Sequence, residues 1–169
     1  MAHSLNSPIV EAQKIINQYN ITTAPVDVEY ICKQLGIRIA RVSMDEIEQL
    51  VHRKISGAIQ KRPGSICTIL INECDINTRA RFTIAHELGH FFLHMKDSEN
   101  KVITSFRMDH SPQEREADRF AAELLMPERL VREEYERLLI PVSDSLAKTF
   151  DVSKQAMRFR LDNLELMYV

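Results

Sequence analysis

The stretch RFTIAHELGHFFLH, residues 81–94, constrains the fold more than any other segment of the chain. On a helix, Phe82, Ile84, Ala85, Leu88, Phe91, Phe92 and Leu93 leave almost no polar arc. A helix that is apolar all round belongs at the centre of a domain. Into this apolar surface the sequence inserts His86, Glu87 and His90. Buried polar groups require partners, so other parts of the chain must satisfy two imidazoles and a carboxylate.

Four residues separate His86 from His90, which on a helix means ~40° of azimuth and ~6 Å of rise. Both rings then reach one metal ion. Glu87 points to a neighbouring azimuth, where a carboxylate can act on water at the metal without being a ligand. This is the H-E-x-x-H arrangement of zinc hydrolases. The competing structural reading is a set of core histidines satisfied by backbone or carboxylate groups. His94 rises ~12 Å from His86, too far for the same ion, and is expected to meet the last carbonyls of its own helix.

A hydrolytic zinc site takes three protein ligands and leaves one position open. The candidate third ligand lies in SPQEREADRFAAELLMP, residues 111–127. At ~100° per residue, Ala117, Phe120, Ala121, Leu124 and Leu125 define a core-facing arc, and Glu114 and Asp118 sit at its edge. Glu116, Arg119 and Glu123 fall on the opposite face, which is expected to be solvated. Glu114 is therefore the carboxylate placed to complete the site. Asp118, one turn on, can accept the free ring N–H of a liganding histidine and fix its tautomer. Ser111 and Glu114 also read as a capping box, in which the glutamate would bond back to the N-cap amide.

The remaining chain supplies the frame. With 169 residues, 44% hydrophobic and 27% charged, there is room for one compact domain and a small appendage. A net charge of −2 argues against broad electrostatic binding to nucleic acid or anionic membrane. No apolar run approaches the ~20 residues of a membrane span, and MAHSLNSPIV lacks a signal-peptide core, so a cytoplasmic location is expected. Cys32, Cys67 and Cys74 show no C-x-x-C spacing and read as reduced thiols.

Ser7-Pro8 starts an amphipathic helix that ends near Asn20, and Pro25 is expected to open a second that stops at Gly36. Residues 37–42 read as a strand and 45–50 as a short helix. Residues 56–61 and 66–71 flank Arg62-Pro63-Gly64-Ser65 and read as a β-hairpin, whose strands could take a substrate peptide along a free edge. Helical periodicity dominates from about Thr78. The expected fold is α+β: a small antiparallel or mixed sheet packed on helices, with H-E-x-x-H on a buried helix and a short C-terminal helical unit. The boundary is expected near Ile140-Pro141, giving a main domain over 1–140 and a two-helix appendage over 141–169.

RARFTIAHELGHFFLH followed by EREADRFAAELLMP resembles the ImmA/IrrE family of zinc metallopeptidases, whose shared pattern is R-F-T-x-A-H-E-L-G-H and, downstream, E-x-x-A-[ND]-x-F-A-x-x-L-L-M-P. The N-terminal helices, the Ser56-Gly57 strand entry and the closing VSKQAMRFRL also look like that family. Asp118 stands where asparagine is frequent. The resemblance implies a zincin-like site with one zinc ion per chain held by His86, His90 and Glu114, with Glu87 as the catalytic carboxylate. It also implies a cytoplasmic endopeptidase that cuts a helix-turn-helix repressor of the XRE type, or an antitoxin.

The oxyanion-stabilising group stays open among His110, Arg107, Tyr135 and a backbone amide. Two rivals stand beside the enzyme. Residues 143–166 look like two short helices separated by Asp151-Val152-Ser153, as in a DNA reader. Lys148, Lys154, Arg158 and Arg160 are balanced there by Asp144, Asp151, Asp162 and Glu165, which weakens phosphate attraction. The other rival is a zinc-bound interaction module, a toxin or regulator, that does not cleave.

Overall fold

A computed structural model describes residues 7–51, 55–61, 64–95, 103–106 and 111–169. Helix α1 (Pro8–Gln18) carries proline in its first turn, where the missing N–H costs nothing, and buries Ala12, Ile15 and Ile16. Helix α2 (Val28–Gln34) starts three residues later than Pro25 suggests, because the Asp27 side chain caps it by accepting from the Tyr30 amide. Gly36 ends it at φ +67°, in the left-handed region that a side chain disfavours. Strand β1 (Arg38–Val42) and helix α3 (Met44–Val51) follow as the alternation and periodicity imply.

Strands β2 (Gly57–Lys61) and β3 (Thr68–Asn72) form the expected antiparallel pair, with Ile59 opposite Ile69. Gly64 has φ +69°, as the third position of a type II turn requires. Arg62 and Pro63 lie outside the described residues. The central helix α4 (Asn77–His94) is followed by β4 (Ile103–Phe106), a strand the sequence reading does not contain. The sheet order is β1-β3-β2-β4, with β1 parallel to β3 and β4 antiparallel to β2. Both hairpin strands are therefore paired on each side. Substrate addition along a hairpin strand is excluded, and the described sheet edges are β1 and β4.

Helices α5 (Pro112–Leu125), α6 (Glu128–Glu136), α7 (Ser143–Phe150) and α8 (Lys154–Asn163) complete the chain. One hydrophobic cluster joins Ile59 and Ile69 of the sheet, Ile84 and Leu88 of α4, Phe120 and Leu124 of α5, and Phe150 and Leu161 of the last two helices. Fully burying a side chain of this size contributes ~1.5–3 kcal/mol, so the sheet and helices are fixed by shared burial. Arg81 ties the α7–α8 turn to α4: its Nε donates to the Asp151 carbonyl at 3.1 Å and its Nη2 to the Val26 carbonyl at 2.9 Å.

The solvated face expected for α5 needs correction at Glu123. It is 2% exposed and paired with Arg160 of α8, itself buried, because α1 and α8 cover that side of the helix.

Two glycines set the approach of α4 to its neighbours. A Cβ at Gly89 would lie 3.0 Å from the Ala117 Cα, so α4 and α5 touch almost backbone to backbone. One at Gly57 would meet the Thr83 methyl at 2.3 Å and Glu87 Oε1 at 3.2 Å. Glycine in β2 thus makes room for the carboxylate of α4.

Candidate metal centre

The crossing of α4 and α5 at Gly89 and Ala117 brings Glu114, one turn before Ala117, onto the histidine face of α4. His86 Nε2 lies 3.0 Å from one Glu114 oxygen, His90 Nε2 lies 3.0 Å from the other, and the two Nε2 atoms are 3.1 Å apart. All three residues are buried. Among the described residues, they are the group whose donor atoms converge well enough to hold a metal ion.

The competing roles of Glu114 are divided between its backbone and its side chain. Ser111 Oγ accepts from the Glu114 amide at 3.2 Å, and the Glu114 carboxylate turns to the histidines. Glu116 lies elsewhere, 3.6 Å from His94 Nε2, so the His94 ring faces α5 and not the helix-end carbonyls that the sequence suggests.

His86 Nδ1 is 2.8 Å from Asp118 Oδ1. An ionised carboxylate only accepts, so Nδ1 carries the proton and Nε2 presents its lone pair to the cluster. Asp118 thereby does what asparagine's carbonyl oxygen would do at this position. Glu87 is fully buried, with its Oε1 beside Gly57 of β2, and stands outside the three converging donors. Tyr135 serves another purpose: its hydroxyl donates to the Met167 carbonyl at 2.7 Å, holding the C-terminal tail to α6. Arg107 and His110 lie outside the described residues.

Burial, and next the neighbouring His86, push the His90 imidazole down to about 4 against the opposing pull of Glu114. A neutral ring is a ready metal donor, with no proton to release. In metal-free protein an unfolded His90 binds a proton below ~6.5, whereas the folded one does so only below about 4. Stability should therefore fall as the pH drops from ~6.5 toward 4, since there the unfolded state holds more protons. Urea midpoints at pH 7.5, 5.5 and 4.5 with chelator should show a shallower decline for His90→Gln than for the parent.

The sequence profile of the M78 peptidases, described as the IrrE N-terminal-like domain, matches residues 32–162. The chain belongs to this family. Metallopeptidase ImmA of Bacillus subtilis (strain 168) is 29% identical over 84 residues, 50% of this chain and 50% of that protein. The match thus spans about half the length of this curated relative. Among solved structures, a Mycobacterium tuberculosis transcriptional regulator superposes with a TM-score of 0.54 at 16% identity, over 93% of this chain and 47% of that one. That likeness is one of fold. The family is one of metallopeptidases, and in this IrrE-like domain the histidine–glutamate cluster is the group suited to the metal.

Metal content gives a direct check on helix phase. His86→Ala, His90→Ala and Glu114→Ala should each lose most of the bound metal, measured by mass spectrometry on dialysed protein, while Glu116→Ala retains it. Loss in Glu116→Ala with retention in Glu114→Ala would contradict the donor geometry.

Proposed function

We propose that the chain is a zinc-dependent endopeptidase that cleaves a specific intracellular protein, a helix-turn-helix repressor of the XRE type. The observation that carries this reading is the convergence within 4.8 Å of two imidazole nitrogens from α4, the helix that also buries Glu87, and one carboxylate from α5. Tetrahedral zinc bonds of ~2.0–2.1 Å imply ligand–ligand separations of ~3.3 Å. The observed 3.0–3.1 Å is close to that, which supports zinc. Two histidines and one glutamate also match a catalytic set that leaves a fourth position open.

When bound, zinc would supply Lewis acidity to the scissile carbonyl and to the water at the site. His86, His90 and Glu114 would hold it, and Asp118 keeps the His86 ring in the tautomer that does so. Glu87 accepts the proton of the attacking water at a carboxylate oxygen and returns it to the leaving amine nitrogen. Its burial fixes that oxygen without a flexible search.

Family resemblance supports a repressor substrate. Against direct DNA reading by α7 and α8, Lys154 is paired with Asp144, Arg158 lies 3.8 Å from Asp144, and Arg160 is buried on Glu123. Cations engaged in this way are poorly disposed to neutralise phosphates.

The test is to incubate zinc-loaded protein with the repressor encoded beside it and read intact masses. Two complementary fragments are expected, and chelator should prevent their appearance. Repressor binding without fragments would favour the non-cleaving interaction module.

A further inference from the structure

Next to α4, the α5 and α8 helices leave a trough between them. Two cavities of about 430 Å³ and 450 Å³ adjoin there, sharing Phe82, Ser153 and Ala156 as walls. At one end is Asp118, which holds His86, and at the other is Ser56, next to the Gly57 that makes room for Glu87. Phe82 lies one turn before His86, with ring centroids 6.4 Å apart. The trough thus borders residues that position both the metal cluster and the candidate proton carrier.

The lining chemistry narrows what fits. Phe82, Ala122, Met126 and Ala156 make the walls, and Phe159, 59% exposed, stands at the rim. Phe159 extends the apolar walls to the surface, and a contiguous apolar patch of this kind marks an interaction site where an isolated exposed residue would not. Each charged residue of the lining is already engaged: Asp118 with His86, Arg160 with Glu123, and Arg79 with Asp75 at 3.2 Å. A largely apolar hollow whose cations are all engaged, and whose Asp118 faces a neutral ring, is matched by an uncharged apolar group and not by an anionic polymer.

We infer that this trough is the specificity subsite of the peptidase, taking a large apolar side chain of the substrate a few residues from the scissile bond. The inference rests on the peptidase reading above. The trough meets the metal site through Asp118, which holds the far nitrogen of His86, and through Phe82, one turn before it. With ~3.3 Å per residue of extended chain, the side chain it takes belongs to a residue flanking the scissile bond. Phe159 and Phe82 then close on that side chain. Phe159 and Ala156 are specificity determinants, outside the metal-binding and proton-transfer machinery.

Two measurements on the full chain test it. The first titrates N-acetyl-phenylalanine amide and N-acetyl-alanine amide into nitrogen-15-labelled, metal-free protein. The phenylalanine amide should shift the Ala122, Ala156 and Phe159 amides, at concentrations about tenfold below those the alanine amide requires. Ala156→Trp, which fills the trough, and Phe159→Ser, which opens it, should each weaken that response. Equal responses to the two amides, or shifts elsewhere, overturn the inference.

The second gives zinc-loaded protein a proteome-derived peptide library and maps the cut sites by mass spectrometry. Large apolar residues should be enriched at one fixed position, and Phe159→Ser should flatten that enrichment. Cleavage without such enrichment overturns the subsite and leaves the peptidase reading intact. Phenylalanine amide bound in the trough with no cleavage of library or repressor overturns the peptidase reading, and the subsite role with it. A dimer in sedimentation that Phe159→Ser dissolves would assign the trough to a second copy of the chain and overturn the inference.

Discussion

Glu87→Gln is expected to retain zinc and melt near the parent temperature, yet to lose ~10²–10⁴-fold in peptide cleavage. The amide has almost the volume of the carboxylate, so the space beside Gly57 stays filled. It can still hydrogen-bond to water, but it cannot take a proton at neutral pH. The three donors that converge are His86, His90 and Glu114, and metal retention follows because Glu87 is not among them. Zinc stoichiometry, thermal unfolding and repressor cleavage measured on one preparation decide the matter. Loss of zinc would make Glu87 part of the metal site, and undiminished cleavage would remove it from proton transfer. Gly57 offers a companion perturbation. A methyl group there meets Thr83 and crowds Glu87, so Gly57→Ala should lower both stability and turnover.

Much of this centre is legible in the sequence because both of its helices repeat every 3.6 residues. That period turns the spacing of His86 and His90 into a shared face, and it separates Glu114 from Glu116 by ~200°. It also places Asp118 a turn beyond Glu114, where the structure finds it holding His86. The same arithmetic fails at Glu123. A helical wheel records which residues share a face, but not that α1 and α8 arrive from distant parts of the chain to cover the opposite one. Strand β4 is hidden for a related reason. Four residues carry too little alternation to mark a strand, and its partner β2 is more than forty positions away. The parallel pairing of β1 with β3 likewise depends on a crossover that local periodicity does not encode.

The pairing of Glu123 with Arg160 leads to the largest stability effect expected outside the metal site. Arg160 is 7% exposed, and besides Glu123 it donates from Nε to the Met126 carbonyl at 2.9 Å. Glu123→Leu removes the counter-charge and leaves a guanidinium buried between α5 and α8. Breaking a buried pair in this way costs about 3–5 kcal/mol. At ~2–4 °C per kcal/mol for a chain of this size, the melting temperature should fall by roughly 6–20 °C. The double substitution Glu123→Leu with Arg160→Met replaces both charges by apolar side chains and should recover most of that loss, because the penalty lies in the orphaned charge. Thermal unfolding of the parent, Glu123→Leu, Arg160→Met and the double variant under chelation closes the cycle. A loss below ~1 kcal/mol for Glu123→Leu would mean that water reaches Arg160, as for an exposed ion pair. In that case α8 would be held on α5 mainly by Met157 and Leu161, and the wall it gives the trough would be free to shift.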